Sequence, residues 1–150
     1  MLRGNLLAKV DEKGRLKIPA SFRKLIEKSF GNEVFITSLD GSCARIYPLK
    51  IWTEMEEKIS PPPLMRPERI KFLSVANYWG QETAMDNQGR VLIHVRLREF
   101  ARIQGEVAVV GNVNYLEVWN NAELKSRVEA HPFTMEDAER LANTLGPGKV

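Results

Sequence analysis

The apolar positions along this chain change period several times, and each change marks an element. Residues 6–10 read as a strand leading into a turn. Beyond it Leu16 and Ile18 alternate with Arg15 and Lys17, the period-two pattern of a half-buried strand. Pro19 closes that strand and suits the first position of a helix. Phe22, Leu25 and Ile26 follow at helical spacing, which carries a short amphipathic helix to about Lys28. Residues 33–37 and 43–47 are apolar runs of strand length joined by an Asp40-Gly41 hairpin signal. Trp52, Met55 and Ile59 mark a helix over 49–59, and the Ser-Pro-Pro-Pro of 60–63 breaks it. Pro67 opens a helix over about 68–78, with Ile70, Leu73, Ala76 and Asn77 on one face. Residues 82–85, 106–110 and 115–119 read as further strands, the last two joined by a turn at 112–114. Asn120 with Glu123 is a capping box for a helix to about Ala130. Thr134 caps a last helix over 135–144, before Gly146-Pro147-Gly148 frays.

The pattern is written twice. Asp11, Gly14, Arg15, Ile18 and Arg23 return as Asp86, Gly89, Arg90, Ile93 and Arg98, each 75 residues later. A constant offset over five positions is an internal duplication. Each unit reads strand, tight turn, strand, short helix. Asp11 can accept backbone N–H bonds inside its own turn, and Gly14 supplies the positive φ of a three-residue hairpin loop. Each half has about four short strands with one apolar face, too little to stand alone. Two halves closing on each other into one barrel would remove the exposed edges. The expected fold is therefore α+β, mainly β, a swapped-hairpin barrel with short flanking helices. Its parts are a first copy over 5–50, connecting helices over 51–78, a second copy over 79–121, and C-terminal helices with a tail over 122–150.

Charge sharpens this picture. Residues 1–28 hold eight Lys/Arg against three Asp/Glu, a net +5, whereas the whole chain carries +3. The excess is therefore concentrated on the first unit, as an electrostatic footprint for phosphate would be. Lys13, Arg15 and Lys17 fall at the turn or on the polar strand face, and Arg23 and Lys24 on the exposed side of the helix. A solvated hairpin with Asp and Arg merely paired is the plain alternative for one copy; repetition weakens it. The 43% apolar and 27% charged composition is that of a globular protein. The chain has no run of eighteen apolar residues and no apolar leader, so neither membrane span nor signal peptide is expected. Cys43, the one cysteine, reads as a small core residue of a protein in a reducing cytoplasm. His94 and His131 stand apart, without a zinc-ligand pattern. No phosphate-cradling loop or nucleophile motif appears.

The motif Asp-x-Lys-Gly-Arg-Leu-x-Ile-Pro-x-x-Phe-Arg, followed by a second Asp-x-Gln-Gly-Arg-Val, resembles the MraZ family, the double-copy member of the AbrB/SpoVT group of DNA-binding regulators. Arg3-Gly4, Ile46-Tyr47-Pro48 with Trp52, and the run 97–101 carry the likeness further, to about Val128. The resemblance implies a bacterial transcriptional regulator of the nucleoid. It would bind double-stranded DNA at short guanine-rich direct repeats upstream of the division and cell-wall gene cluster, and assemble into a homo-oligomeric ring. It implies no enzymatic activity, cofactor, metal or small-molecule substrate. Carried over by position, the DNA contacts fall on Asp11, Lys13, Gly14 and Arg15, with Asp86, Gly89 and Arg90 in the second copy. Lys17, Arg23 and Lys24 are the added phosphate contacts. The second copy has Gln88 and Leu92 where the first has Lys13 and Lys17, so the first copy is expected to carry most of the affinity.

Three other readings compete. Related barrels include decarboxylases that cleave themselves at a Gly-Ser bond, and Gly41-Ser42 is present, though in ordinary hairpin sequence. An antitoxin would use residues 134–145 to hold a partner. A pure interaction ring would carry the charge incidentally.

Overall fold

The computed structural model describes residues 1–59 and 66–146. The 60–63 break and Pro147-Gly148 lie outside the described residues. The element order is β1 (Leu2–Val10), β2 (Arg15–Lys17), α1 (Ala20–Phe30), β3 (Glu33–Thr37), β4 (Ala44–Pro48), α2 (Leu49–Ile59), α3 (Pro67–Trp79), β5 (Gln81–Ala84), β6 (Arg90–Leu92), α4 (Val95–Ala101), β7 (Gly105–Val113), β8 (Leu116–Asn120), α5 (Asn121–Ala130) and α6 (Met135–Leu145).

The eight strands form one antiparallel sheet in the order β5-β3-β4-β8-β7-β1-β2-β6, curled into a nearly closed barrel. β5 and β6, at the two ends of that order, are tied where the Asp86 N–H donates to the Arg90 carbonyl at 2.9 Å. The order is a swap. β1 of the first copy pairs with β7 of the second, and β5 of the second with β3 of the first. β2 pairs with β6 through Leu16↔Val91, residues 75 apart in sequence, so the pseudo-twofold axis passes through that pair. Both side chains are buried, together with Ile18, Ile26, Ile93, Leu97, Ile103, Val107 and Leu116 from the two copies. Burying one side chain of this size is worth roughly 1.5–3 kcal/mol, and the core is shared between the copies.

Several boundaries differ from the sequence-based expectation, each for a reason visible in the pairing. β1 begins at Leu2, four residues early, because β7 runs to Val113 and pairs with it over nine positions. Pro19 is the N-cap of α1 rather than its first residue, and α1 continues to Phe30. On α3 the buried residues are Ala76 and Trp79; Ile70 and Asn77 are exposed. That helix turns towards Trp52 of α2, whose ring stacks 6.0 Å from Phe72. Asn120 and Thr134 cap α5 and α6, their side chains accepting from Glu123 N–H and Asp137 N–H, each at 3.1 Å. The reciprocal bond of a capping box forms at Thr134 with Asp137, whereas the expected box at Asn120 stays half-made because the Glu123 carboxylate accepts from Arg102. Cys43 is buried against Ala108 and Trp119, and burial pushes its thiol up to about 12. Among the described residues no helix is long and apolar enough to cross a membrane.

Candidate nucleic-acid interface

The repeated turn is built the same way in both copies. Gly14 and Gly89 adopt φ of +86° and +74°, conformations that a side chain makes costly, and each N–H donates back to the Asp carbonyl three residues earlier. Asp11 then closes the loop from the side-chain end. Its Oδ1 accepts from the N–H groups of Lys13 and Arg15, and its Oδ2 from Arg15 Nε, all at 2.9 Å. Asp86 does the same with the N–H groups of Gln88 and Arg90 and with Arg90 Nε, again at 2.9 Å. These bonds favour the ionised carboxylate, so both acids lie below the ordinary value of 3.8, the backbone N–H of the following arginine being the largest cause.

The Nε edge of each guanidinium is therefore taken by its own aspartate. The strand register sets the direction of each arginine. Leu16 and Val91 point into the core, so the alternate residues Arg15, Lys17, Arg90 and Leu92 share the outer face of the β2–β6 ribbon. Arg15 stands opposite Leu92, and Lys17 opposite Arg90. The two arginines are diagonal neighbours about 7–8 Å apart at the backbone.

The copies are clasped across this ribbon. The Ile18 N–H donates to the Gly89 carbonyl at 2.9 Å, and the Ile93 N–H to the Gly14 carbonyl at 3.0 Å. Arg23, expected on the solvent side of α1, instead reaches across the second turn. Its Nη2 donates to the Asn87 carbonyl at 2.9 Å and its Nε to Glu27 at 2.8 Å. Arg98 lies over the first turn in the equivalent way, its Nε bonded to the Ile93 carbonyl at 2.6 Å. A Cβ on Gly14 would come within 2.5 Å of Arg98 Cζ, and one on Gly89 within 2.5 Å of Arg23 Cδ. Glycine is thus required by φ, while the arginine from the other copy, a flexible side chain, would have to shift to admit a Cβ.

Lys13, Lys17 and Lys24 are exposed. Lys17 belongs to the first copy in sequence but stands beside the second copy's arginine in space. The first turn accordingly keeps Arg15 with Lys13, and the second gains Arg90 with Lys17. Sequence reasoning left out three neighbours of this face: Arg98, Lys9, which lines a shallow groove with Lys17 and Pro19, and Leu92 as a surface residue. The offset of 75 pointed to Arg98 through Arg23, whereas the register that matters for Leu92 depends on pairing between copies.

Elsewhere the candidate chemistry is local. Ser42 donates to the Asp40 carboxylate from both N–H (2.9 Å) and Oγ (2.5 Å), an Asx turn holding the Gly41-Ser42 hairpin. His94 Nε2 sits 3.2 Å from the Trp79 carbonyl, and His131 Nδ1 3.0 Å from that of Arg127.

A family model described as "MraZ protein, putative antitoxin-like" matches residues 1–74 and 80–144. A protein of Acidobacterium capsulatum named "Transcriptional regulator MraZ" is 49% identical over 142 residues, covering 95% of this chain and 97% of that one. A protein of the same name from Koribacter versatilis is 48% identical over 144 residues, covering 95% and 98%. Another from Moorella thermoacetica is 37% identical over 146 residues, covering 97% and 96%.

Proposed function

This chain belongs to the MraZ family of transcriptional regulators, and from that membership we propose that it is a sequence-specific DNA-binding protein whose contact surface is the outer face of the β2–β6 ribbon. The observation that carries the reading is the placement of Arg15 and Arg90 on one exposed face, each oriented by its own aspartate. A two-stranded ribbon fits the major groove, where an arginine fork pairs with guanine O6 and N7. Lys13, Lys17 and Lys24 hold phosphates, which fix the register without reading sequence. Arg23 supports the second turn as well as adding positive charge. Asp11 and Asp86 orient the arginines rather than touch bases, and Gly14 and Gly89 keep the turns tight.

One subunit offers too few phosphate contacts for tight binding at physiological salt. Its sites are short direct repeats upstream of the division and cell-wall gene cluster, and several subunits in a ring engage several repeats. Linked weak contacts gain affinity through effective concentration. Within each subunit the copies over 5–50 and 79–121 act as a pseudo-dimer, joined by 51–78 and followed by the helices and tail of 122–150. The protein works in the cytoplasm, on the nucleoid, without enzymatic turnover.

Arg15→Ala tests the reading. Its expected effect is loss of specific binding to duplex from upstream of its own gene, with an unchanged thermal melt. For the parent protein, log affinity should fall linearly with log salt by about 0.9 for each phosphate neutralised. Unchanged specific binding by the variant, or a flat salt dependence, refutes it.

A further inference from the structure

The β2–β6 face is twofold in its backbone but not in its chemistry. Positions 17 and 92 are repeat equivalents, occupied by lysine and leucine. Lys17 stands opposite Arg90, and Leu92 opposite Arg15. Leu92 is 43% exposed and Val95, three residues on, 52%, so on the ribbon itself an apolar side chain lies open opposite Arg15 where a lysine stands opposite Arg90. The Leu92 side chain lies outside the barrel core, which its chain neighbours Val91 and Ile93 help to fill.

Opposed Cβ atoms in an antiparallel pair are about 4.5–5.5 Å apart. Successive bases along one DNA strand rise about 3.4 Å. With the cross-strand direction of the ribbon along the DNA axis, an Arg15 fork on a guanine sets Leu92 over an adjoining base pair. On the major-groove edge the apolar group a leucine can cover is the thymine methyl; over other bases it strips water from donors and acceptors and returns nothing. We infer that Leu92 is a specificity-determining residue that selects thymine beside the guanine contacted by Arg15. The Lys17/Leu92 difference then gives the face a direction, so that it reads a non-palindromic element in one orientation. This assignment rests on the DNA-binding reading above.

The test uses the full chain and a duplex recovered by selection from a randomised library. Each thymine is replaced in turn by deoxyuridine, which removes only the methyl group. The parent protein should lose about three- to fivefold in affinity at a thymine adjoining the Arg15-dependent guanine, the worth of one buried methyl. Leu92→Ala should be indifferent to that replacement while melting at the parent temperature, and Lys17→Leu should create a second sensitive thymine on the Arg90 side. Sensitivity retained in Leu92→Ala, or no sensitive thymine in a duplex the parent binds specifically, overturns the assignment. If the parent selects no sequence at all, the regulator reading itself fails, and the role of Leu92 with it.

Discussion

A carboxylate that gathers three N–H donors inside a five-residue turn keeps each arginine still. Free arginine carries about 2 kcal/mol of rotamer entropy that must be surrendered on binding. Asp11 and Asp86 remove part of that freedom beforehand by holding Nε. These ion pairs are exposed, so they contribute little to stability and act through orientation. Their acid response follows from the lowered carboxyl values. An acid lowered on folding contributes stability in full above its unfolded value near 3.8, and loses it as pH falls through the folded value. The amide resonances of Arg15 and Arg90 should therefore stay constant from neutral pH down to about that value and shift only below it. A transition at or above 3.8 in an NMR titration would contradict the turn geometry.

The two repeat helices differ in length because one residue changes hand. α1 runs eleven residues, whereas α4 stops after seven at Arg102, whose φ of 57° and ψ of 41° form a left-handed C-cap. The position equivalent to Arg102 is Glu27, still inside α1. Ending early lets Ile103 enter the core and leads directly into the long β7. A left-handed cap suits glycine; Arg102 holds it with an exposed ion pair to Glu123 at 2.9 Å, while its carbonyl accepts from Asn120 Nδ2 at 3.2 Å, a bond that glycine would keep. Arg102→Gly should stabilise the protein by about 1 kcal/mol, read as a higher denaturant midpoint with unchanged slope. An equal or lower midpoint would show that α4 is stopped by something other than its cap. The alternation of Leu16 and Ile18 announced β2 and the Asn and Thr caps announced the last two helices. The end of α4 carried no glycine to announce it.

At the scale of the molecule, neither copy closes its own barrel. β1, β2, β3 and β4 find pairing partners in β7, β6, β5 and β8. A fragment of residues 1–78 has none of those partners and should not fold as a monomer; sedimentation with circular dichroism would settle it, and a folded monomeric fragment would overturn the shared core. The amino-acid sequence by itself determined the duplicated unit, its glycine turns, the mainly-β class and the paired Asp and Arg, because turn chemistry, side-chain period and repetition are written within a few residues. Tertiary structure decided which residues of the two copies meet. Pairing β2 with β6 across a pseudo-twofold moved Lys17 to the second arginine, set Leu92 beside the first, and laid Arg23 and Arg98 across each other's glycine turns. Those neighbours are chosen by strand register between segments 75 residues apart, and register is fixed only when both apolar faces close on a common core.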